Sequence, residues 1–122
     1  MEVMDAINLM EKLNLFSDHY HPRLIGELNS QDLKIAKIKG EFVWHSHEQE
    51  DELFFVIKGW FNMEFRDKIV RVDEGEMIIV PRGVEHRPVA EEEASILLFE
   101  PASTINTGAI RNDLTHKKID RI

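Results

Sequence analysis

Apolar residues recur along the first part of the chain at helical spacing. Val3, Ile7, Met10 and Leu13 follow one another at intervals of four and three, with Met4 and Leu9 widening the stripe. That spacing predicts a helix over residues 3–16, ended by Asn14 and the turn-forming stretch 17–22. From Arg23 onward the pattern changes to short runs of β type, at roughly 33–39, 42–47, 52–58, 60–66, 69–73, 77–80, 86–90 and 95–100. Gly59, then Arg66, Asp67 and Lys68, then Asp73, Glu74 and Gly75, then Pro81, Arg82 and Gly83 interrupt them as turn signals. Phe61, Met63 and Phe65 alternate with Asn62, Glu64 and Arg66, the pattern of a strand with one wet face. About eight short strands with close turns and no helix between them predict an all-β closed barrel or two-sheet roll. The chain therefore divides into a helix and linker (1–22), a barrel (23–101) and a polar surface tail (102–122).

Composition narrows the function classes. A length of 122 residues predicts one domain. The formal net charge of −8 argues against a surface that tracks nucleic-acid phosphates. Cysteine is absent, which excludes disulfides, zinc ribbons and thiol catalysis. The longest wholly apolar stretch, residues 53–57, is far too short for a membrane-spanning helix. Glu2 and Asp5 stand where a secretory leader would be basic, so a cytoplasmic protein is expected.

Six histidines carry the candidate chemistry: His19, His21, His45, His47, His86 and His116. On a strand, residues i and i+2 point to one face, so His45 and His47 project together as a metal ion requires. An acidic cluster, Glu48, Glu50, Asp51 and Glu52, follows directly. Strand parity lets a carboxylate join the pair from the next run, and leaves Glu50 and Glu52 equally placed. Trp44 has the opposite parity and is expected outside the barrel, beneath the N-terminal helix or at a subunit interface. Lys37 and Lys39 share the phase of His45 and His47 if the chain stays regular through Gly40, whereas a bulge there would turn them outward.

The order of these residues resembles the two motifs of the cupin superfamily. In the first, Gly40 is followed after four residues by His45-Ser46-His47, after four more by Glu52, and after six more by Gly59. In the second, Gly75 is followed after five residues by Pro81-Arg82-Gly83, after two more by His86, and after three more by Ala90. Two positions depart from the family pattern: the first interval is four residues where five are usual, and Ala90 stands where the family has Asn. The motifs span residues 40–90, and the strand pattern extends the likeness to about 30–101. The glycines and Pro81 belong to turn chemistry and build the barrel.

The resemblance implies a cupin β-barrel (a double-stranded β-helix or jelly roll) with a short N-terminal α-helix. It also implies that His45, His47, Glu52 and His86 bind one divalent metal. Four protein ligands on an octahedral ion leave two positions open, the mark of a catalytic or binding site. Nitrogen and oxygen donors suit Fe²⁺, Mn²⁺, Ni²⁺, Co²⁺, Cu²⁺ or Zn²⁺ alike. Alternation predicts Phe54, Val56, Phe61 and Met63 on the inner face as an apolar pocket wall, with plain core packing as the alternative.

Small cupins of this kind resemble mannose-6-phosphate isomerase, so a metal-dependent enzyme acting on a sugar phosphate or related carbonyl compound is the first expectation. A dioxygenase using Fe²⁺, or a barrel that binds a small molecule without turnover, are the alternatives. For an isomerase the candidate bases are Glu50, Asp51 and Glu85, none fixed by a motif, and the candidate phosphate-binding residues are Lys37, Lys39, Arg82 and Arg87. Apolar residues of both parities in residues 53–57 and 77–80 leave Leu53, Phe55 and Ile57 in need of cover on the outer face. That predicts a homodimer.

Overall fold

Asn8 starts the only helix among the described residues. Its backbone is extended, and its side-chain oxygen accepts a hydrogen bond from the Glu11 N–H at 3.0 Å, which caps the first turn. The computed structural model describes residues 4–108, 110, 112–116 and 118–122. In it the helix expected over 3–16 is the short α1 (Leu9–Leu13), closed by Asn14. A helix this short does not persist alone in water. Leu13 holds it by packing, with Leu9 and Phe16, against Ile25 and Ile35 on the outside of the barrel. Met4 and Ile7, which extended the periodic stripe, are exposed, and Val3 lies outside the described residues.

Among the described residues seven strands follow: β1 (Arg23–Leu28), β2 (Gln31–Glu41), β3 (Glu52–Lys58), β4 (Trp60–Phe65), β5 (Ile69–Asp73), β6 (Met77–Val80) and β7 (His86–Pro101). They form one antiparallel sheet in the order β1-β2-β7-β3-β6, while β4 joins β5 to the first part of β7. Thus β7 is shared. Its first residues pair with β4, its later ones with β3, and β2 runs along both. The two runs expected at 86–90 and 95–100 are this single strand, bent where Glu91, Glu92 and Glu93 face solvent. The all-β roll expected from the sequence is the observed architecture.

Two local expectations are corrected. The run 42–47 is not a regular strand but an extended ledge. It is tied to β7 by Phe42 N–H to Pro88 O and by a reciprocal backbone pair between His45 and His86. Phe42 and His45, three residues apart, are both buried, so strict alternation fails between them. Strand β1 was not among the expected runs. Gly26 and the register shift between Leu24 and Gly26 break its alternation.

The barrel interior holds Ala36, Ile38, Phe54, Val56, Phe61, Met63, Val72, Val80, Ala90, Ala94, Ile96 and Leu98. Burying each of the larger side chains stabilises the fold by about 1.5–3 kcal/mol. At Gly40 the β2–β7 register shifts and φ is +79°, a conformation that favours glycine. Because of this bulge Ala36 and Ile38 point inward with the histidines, while Lys37 and Lys39 point away. The segment after Pro101 returns along the barrel. It buries Thr104 and Thr107, and it lays Arg121 beside Leu24 of β1. No helix among the described residues is long and apolar enough to cross a membrane.

Candidate metal centre

Three separate pieces of chain deliver the four side chains. The ledge after β2 carries His45 and His47, the first residue of β3 is Glu52, and the first residue of β7 is His86. All four are buried, and one ligand atom from each lies within 4.8 Å of the others. Glu50, which parity left equal to Glu52, sits at the rim: its Oε2 accepts from the Ser103 hydroxyl, and its Oε1 is 4.0 Å from His47 Nδ1.

Backbone carbonyls orient two of the rings. His45 Nδ1 lies 2.9 Å from Val43 O and His86 Nδ1 lies 2.8 Å from Val84 O. A carbonyl only accepts, so both Nδ1 atoms carry a proton and Nε2 is the ring atom turned to the centre. Burial, followed by the neighbouring His86, pushes His45 down to about 4, which keeps it neutral at pH 7.

His47 Nε2 is 3.3 Å and His86 Nε2 is 3.4 Å from Glu52 Oε1. These three atoms are buried without a hydrogen-bond partner. Orphaned donor atoms converging on one point are costly in a protein interior, and a cation among them removes the cost. The residues fit a divalent metal ion, and nitrogen and oxygen donors without sulfur do not single out one metal.

A second buried group touches the first. Register sets Glu100 on β7 beside Glu52, and Lys34 of β2 donates to Glu100 Oε1 at 3.0 Å. Burial, followed by the charge of Glu52, raises the Glu100 carboxyl well above the ordinary range. Burial alone would raise Glu52 as well. The polar neighbours packed around it, Glu100, His47 and His86, instead hold Glu52 well below its ordinary value.

A cavity of about 40 Å³ opens directly on His45 and Glu52. Its walls are Ala36, Ile38, Phe42, Phe54, Ile96 and Leu98, roofed by Tyr20, Pro22, Pro88 and Asn106. The polar roof groups are already engaged: the Tyr20 hydroxyl donates to Gly40 O at 2.6 Å, and Asn106 Nδ2 donates to Leu114 O at 2.6 Å. Of the four expected wall residues, Phe54 lines this cavity. Val56, Phe61 and Met63 are wholly buried in the core and do not border it.

The remaining candidates lie elsewhere. Asp51 pairs with Arg82, and Glu85 pairs with Arg66 through both of its oxygens. Arg87 is bound to Glu64 at 2.6 Å, and Lys37 donates to Phe16 O beside α1. Trp44 is outside the barrel as expected, but it lies under the guanidinium groups of Arg66 and Arg87, not under α1. The sequence reading missed Tyr20, Lys34, Glu100 and Asn106. Lys34 and Glu100 were visible in principle, since each stands in the apolar phase of its strand, with Ala36 and Ile38 or with Ile96 and Leu98.

Residues 34–100 match the Cupin_2 family (Cupin domain), and the chain belongs to that family. A cupin-2 domain protein of Shewanella frigidimarina NCIMB 400 is 45% identical in sequence and superposes with a TM-score of 0.78 over 79% of this chain and 94% of that one. The protein NMB1881 of Neisseria meningitidis is 30% identical, with a TM-score of 0.74 over 80% of this chain and all of its own. An uncharacterized Bacillus subtilis (strain 168) protein, YdbB, is 32% identical over 66% of this chain and 72% of its own length.

Proposed function

We propose that the chain is a metal-dependent enzyme in which His45, His47, Glu52 and His86 hold one divalent transition metal, and that it acts on a small uncharged molecule. The observation that carries this reading is the cavity beside His45 and Glu52, walled by hydrocarbon and bordered by no lysine or arginine. A metal ion held by four protein ligands supplies a Lewis acid with positions open to a ligand. The protein supplies the fixed imidazoles, the apolar wall and the exclusion of water.

The cavity of about 40 Å³ is small beside ligand pockets of roughly 300–1,000 Å³. A ligand of more than a few heavy atoms must enter through the roof formed by Tyr20, Pro22 and Asn106. Oxygen-dependent chemistry on such a ligand fits these walls better than isomerisation of a sugar phosphate. A phosphate needs a cation at the mouth, and Lys37, Arg82 and Arg87 are turned to other partners, while Lys39 is exposed on the outward phase of β2.

The test is elemental analysis of protein purified without added metal, followed by two assays on Fe²⁺-loaded protein. One is oxygen uptake with small neutral diols and ketols; the other is isomerisation of aldose phosphates. The expected outcome is about one metal per chain and oxygen uptake with a neutral compound. Metal-dependent isomerisation of a sugar phosphate without oxygen uptake would overturn the substrate reading.

A homodimer is proposed on a separate observation. Helix α1 covers the outer face over β1 and β2 and its cluster extends to Ile57 of β3, whereas Leu53 and Phe55 lie half-buried outside that cluster. Met77 and Ile79 of β6, directly beside them in register, are about 60% exposed. A second copy of the same face is the occupant that covers this patch.

A further inference from the structure

We infer that Lys34 and Glu100 are positioning residues for the carboxylate of Glu52, an inference that rests on the metal-centre reading above. Strand register places the groups together. Asp32 of β2 pairs with Glu100 of β7, and Leu53 pairs with Phe99, which sets Glu52 beside Glu100 on the other side. Asp32, Glu100 and Glu52 thus form one inward-facing row across three adjacent strands. Lys34 stands next to this row, 3.0 Å from Glu100 Oε1 and 3.9 Å from Asp32 Oδ2.

Lys34, Glu52 and Glu100 are each at most 3% exposed. Carboxylates side by side on neighbouring strands repel, and a buried ion pair is often no more stabilising than well-packed hydrocarbon of the same volume. Stability alone therefore gives little reason for Lys34 and Glu100 at positions whose in-phase neighbours are Ala36, Ile38, Ile96 and Leu98.

Their contacts point to a different use. Lys34 fixes one oxygen of Glu100, and the β3–β7 register sets Glu100 beside Glu52, its other oxygen buried without a hydrogen-bond partner. Glu52 is then left with Oε1 directed at the Nε2 atoms of His47 and His86. Such outer partners orient a metal-ligating carboxylate and tune its affinity. Neither residue belongs to the His-x-His or Pro-x-Gly motifs, and neither touches the cavity described above.

Co²⁺ titration, followed by its visible absorption bands, tests the assignment on the full chain. In Glu100→Gln the amide oxygen still accepts from Lys34 and the N–H₂ takes the place of Glu100 Oε2 beside Glu52, so affinity within about threefold of the wild type and unchanged bands are expected. Glu100→Ala is expected to weaken Co²⁺ binding by about 10–100-fold and to shift the bands as Glu52 is released. Circular dichroism checks that Glu100→Ala is folded. If it is not, the apolar pair Lys34→Met/Glu100→Leu carries the same comparison with the buried charges removed together.

Wild-type affinity and bands in the folded Ala variant, or in the apolar pair, would overturn the inference, as would Glu100→Gln failing as badly as Glu100→Ala. If His47→Ala abolishes Co²⁺ binding while Glu100→Ala does not alter it, this inference fails and the metal centre stands. If the wild-type protein takes up no Co²⁺, both fall together.

Discussion

His45 and His86 hold each other in place through the backbone. The N–H of each donates to the carbonyl of the other, at 3.0 Å and 2.9 Å, and their rings lie 4.2 Å apart. Forty-one residues separate them in the chain, yet they form one closed pair of main-chain hydrogen bonds. The two cupin motifs are therefore joined at the candidate ligands themselves. Any shift of the ledge moves both imidazoles.

Substitution of His47 or His86 by Ala should remove the metal from purified protein. Each leaves three donors and a wetter site, so the loss in affinity should exceed the ~10–100-fold typical of outer partners. His19→Ala, His21→Ala and His116→Ala should retain full metal content, because those rings pair with Glu93, with Asp18 and with one another, away from the centre. Mass spectrometry of metals in the five variants checks this. Equal content in all of them would refute the ligand set.

Metal removal should lower thermal stability. Ligand present at a hundred times its dissociation constant stabilises the folded state by about 2.7 kcal/mol, which for a chain of this length corresponds to a rise of roughly 10 °C in Tm. Scanning calorimetry with and without a chelator measures the difference. An unchanged Tm on loading would mean that the four side chains do not hold an ion in the folded state.

The metal-free protein should be acid-labile through His45. Its folded value of about 4 lies below the unfolded value of 6.5, so between these two the unfolded chain binds more protons and stability falls with falling pH. The effect is absent above about pH 7 and amounts to roughly 2 kcal/mol by pH 5, from about 1.36 kcal/mol per pH unit. His45→Gln removes the titrating group but not the neighbours. Its urea midpoint should fall less than that of the wild type between pH 7 and 5, and parallel curves would contradict the assignment.

Tyr20→Phe should destabilise the roof of the cavity. The hydroxyl donates to Gly40 O at 2.6 Å and lies 3.3 Å from Pro88 O; its loss takes this donor from the part-buried Gly40 carbonyl, while Pro88 O keeps the Phe42 N–H. A decrease of about 1–3 kcal/mol in unfolding free energy is expected. No change in urea unfolding would show that water reaches the Gly40 carbonyl freely.

Phe55→Glu tests the dimer. A charge on the outer face of β3 should split a dimer into species near the 14.3 kDa monomer mass, with the metal content unaffected. Light scattering across micromolar concentrations decides the matter. A wild-type protein that is monomeric throughout would exclude the partner.

The barrel was legible because its evidence is local: alternation, turn residues, and two histidine motifs whose spacing follows from strand geometry. The helix was overestimated because periodicity at Met4 and Ile7 carries no information about whether a core lies beneath them, and both are exposed. The ledge at 42–47 looked like a strand because His45 and His47 do alternate, while the Gly40 bulge upstream sets the phase on which they arrive. Glu52 could not be separated from Glu50 by parity. Register decided it, since Glu52 is the residue that pairs with Val80 at the start of β3. The Lys34–Glu100 pair was overlooked because a charge within an apolar phase is a contradiction in one strand, resolved only when the neighbouring strand is known.

The bend in β7 has a mechanical consequence. His86 and Glu100 are fourteen residues apart on that strand, ~46 Å if it ran straight, yet both lie against Glu52. The strand is a hoop around the barrel, and Glu52 sits where its two ends meet. An ion bound by His86 and Glu52 would act as a clasp on the hoop, so that opening the barrel and releasing the ion would be a single event. Unfolding force applied across β7 should register the bound ion as one discrete rupture.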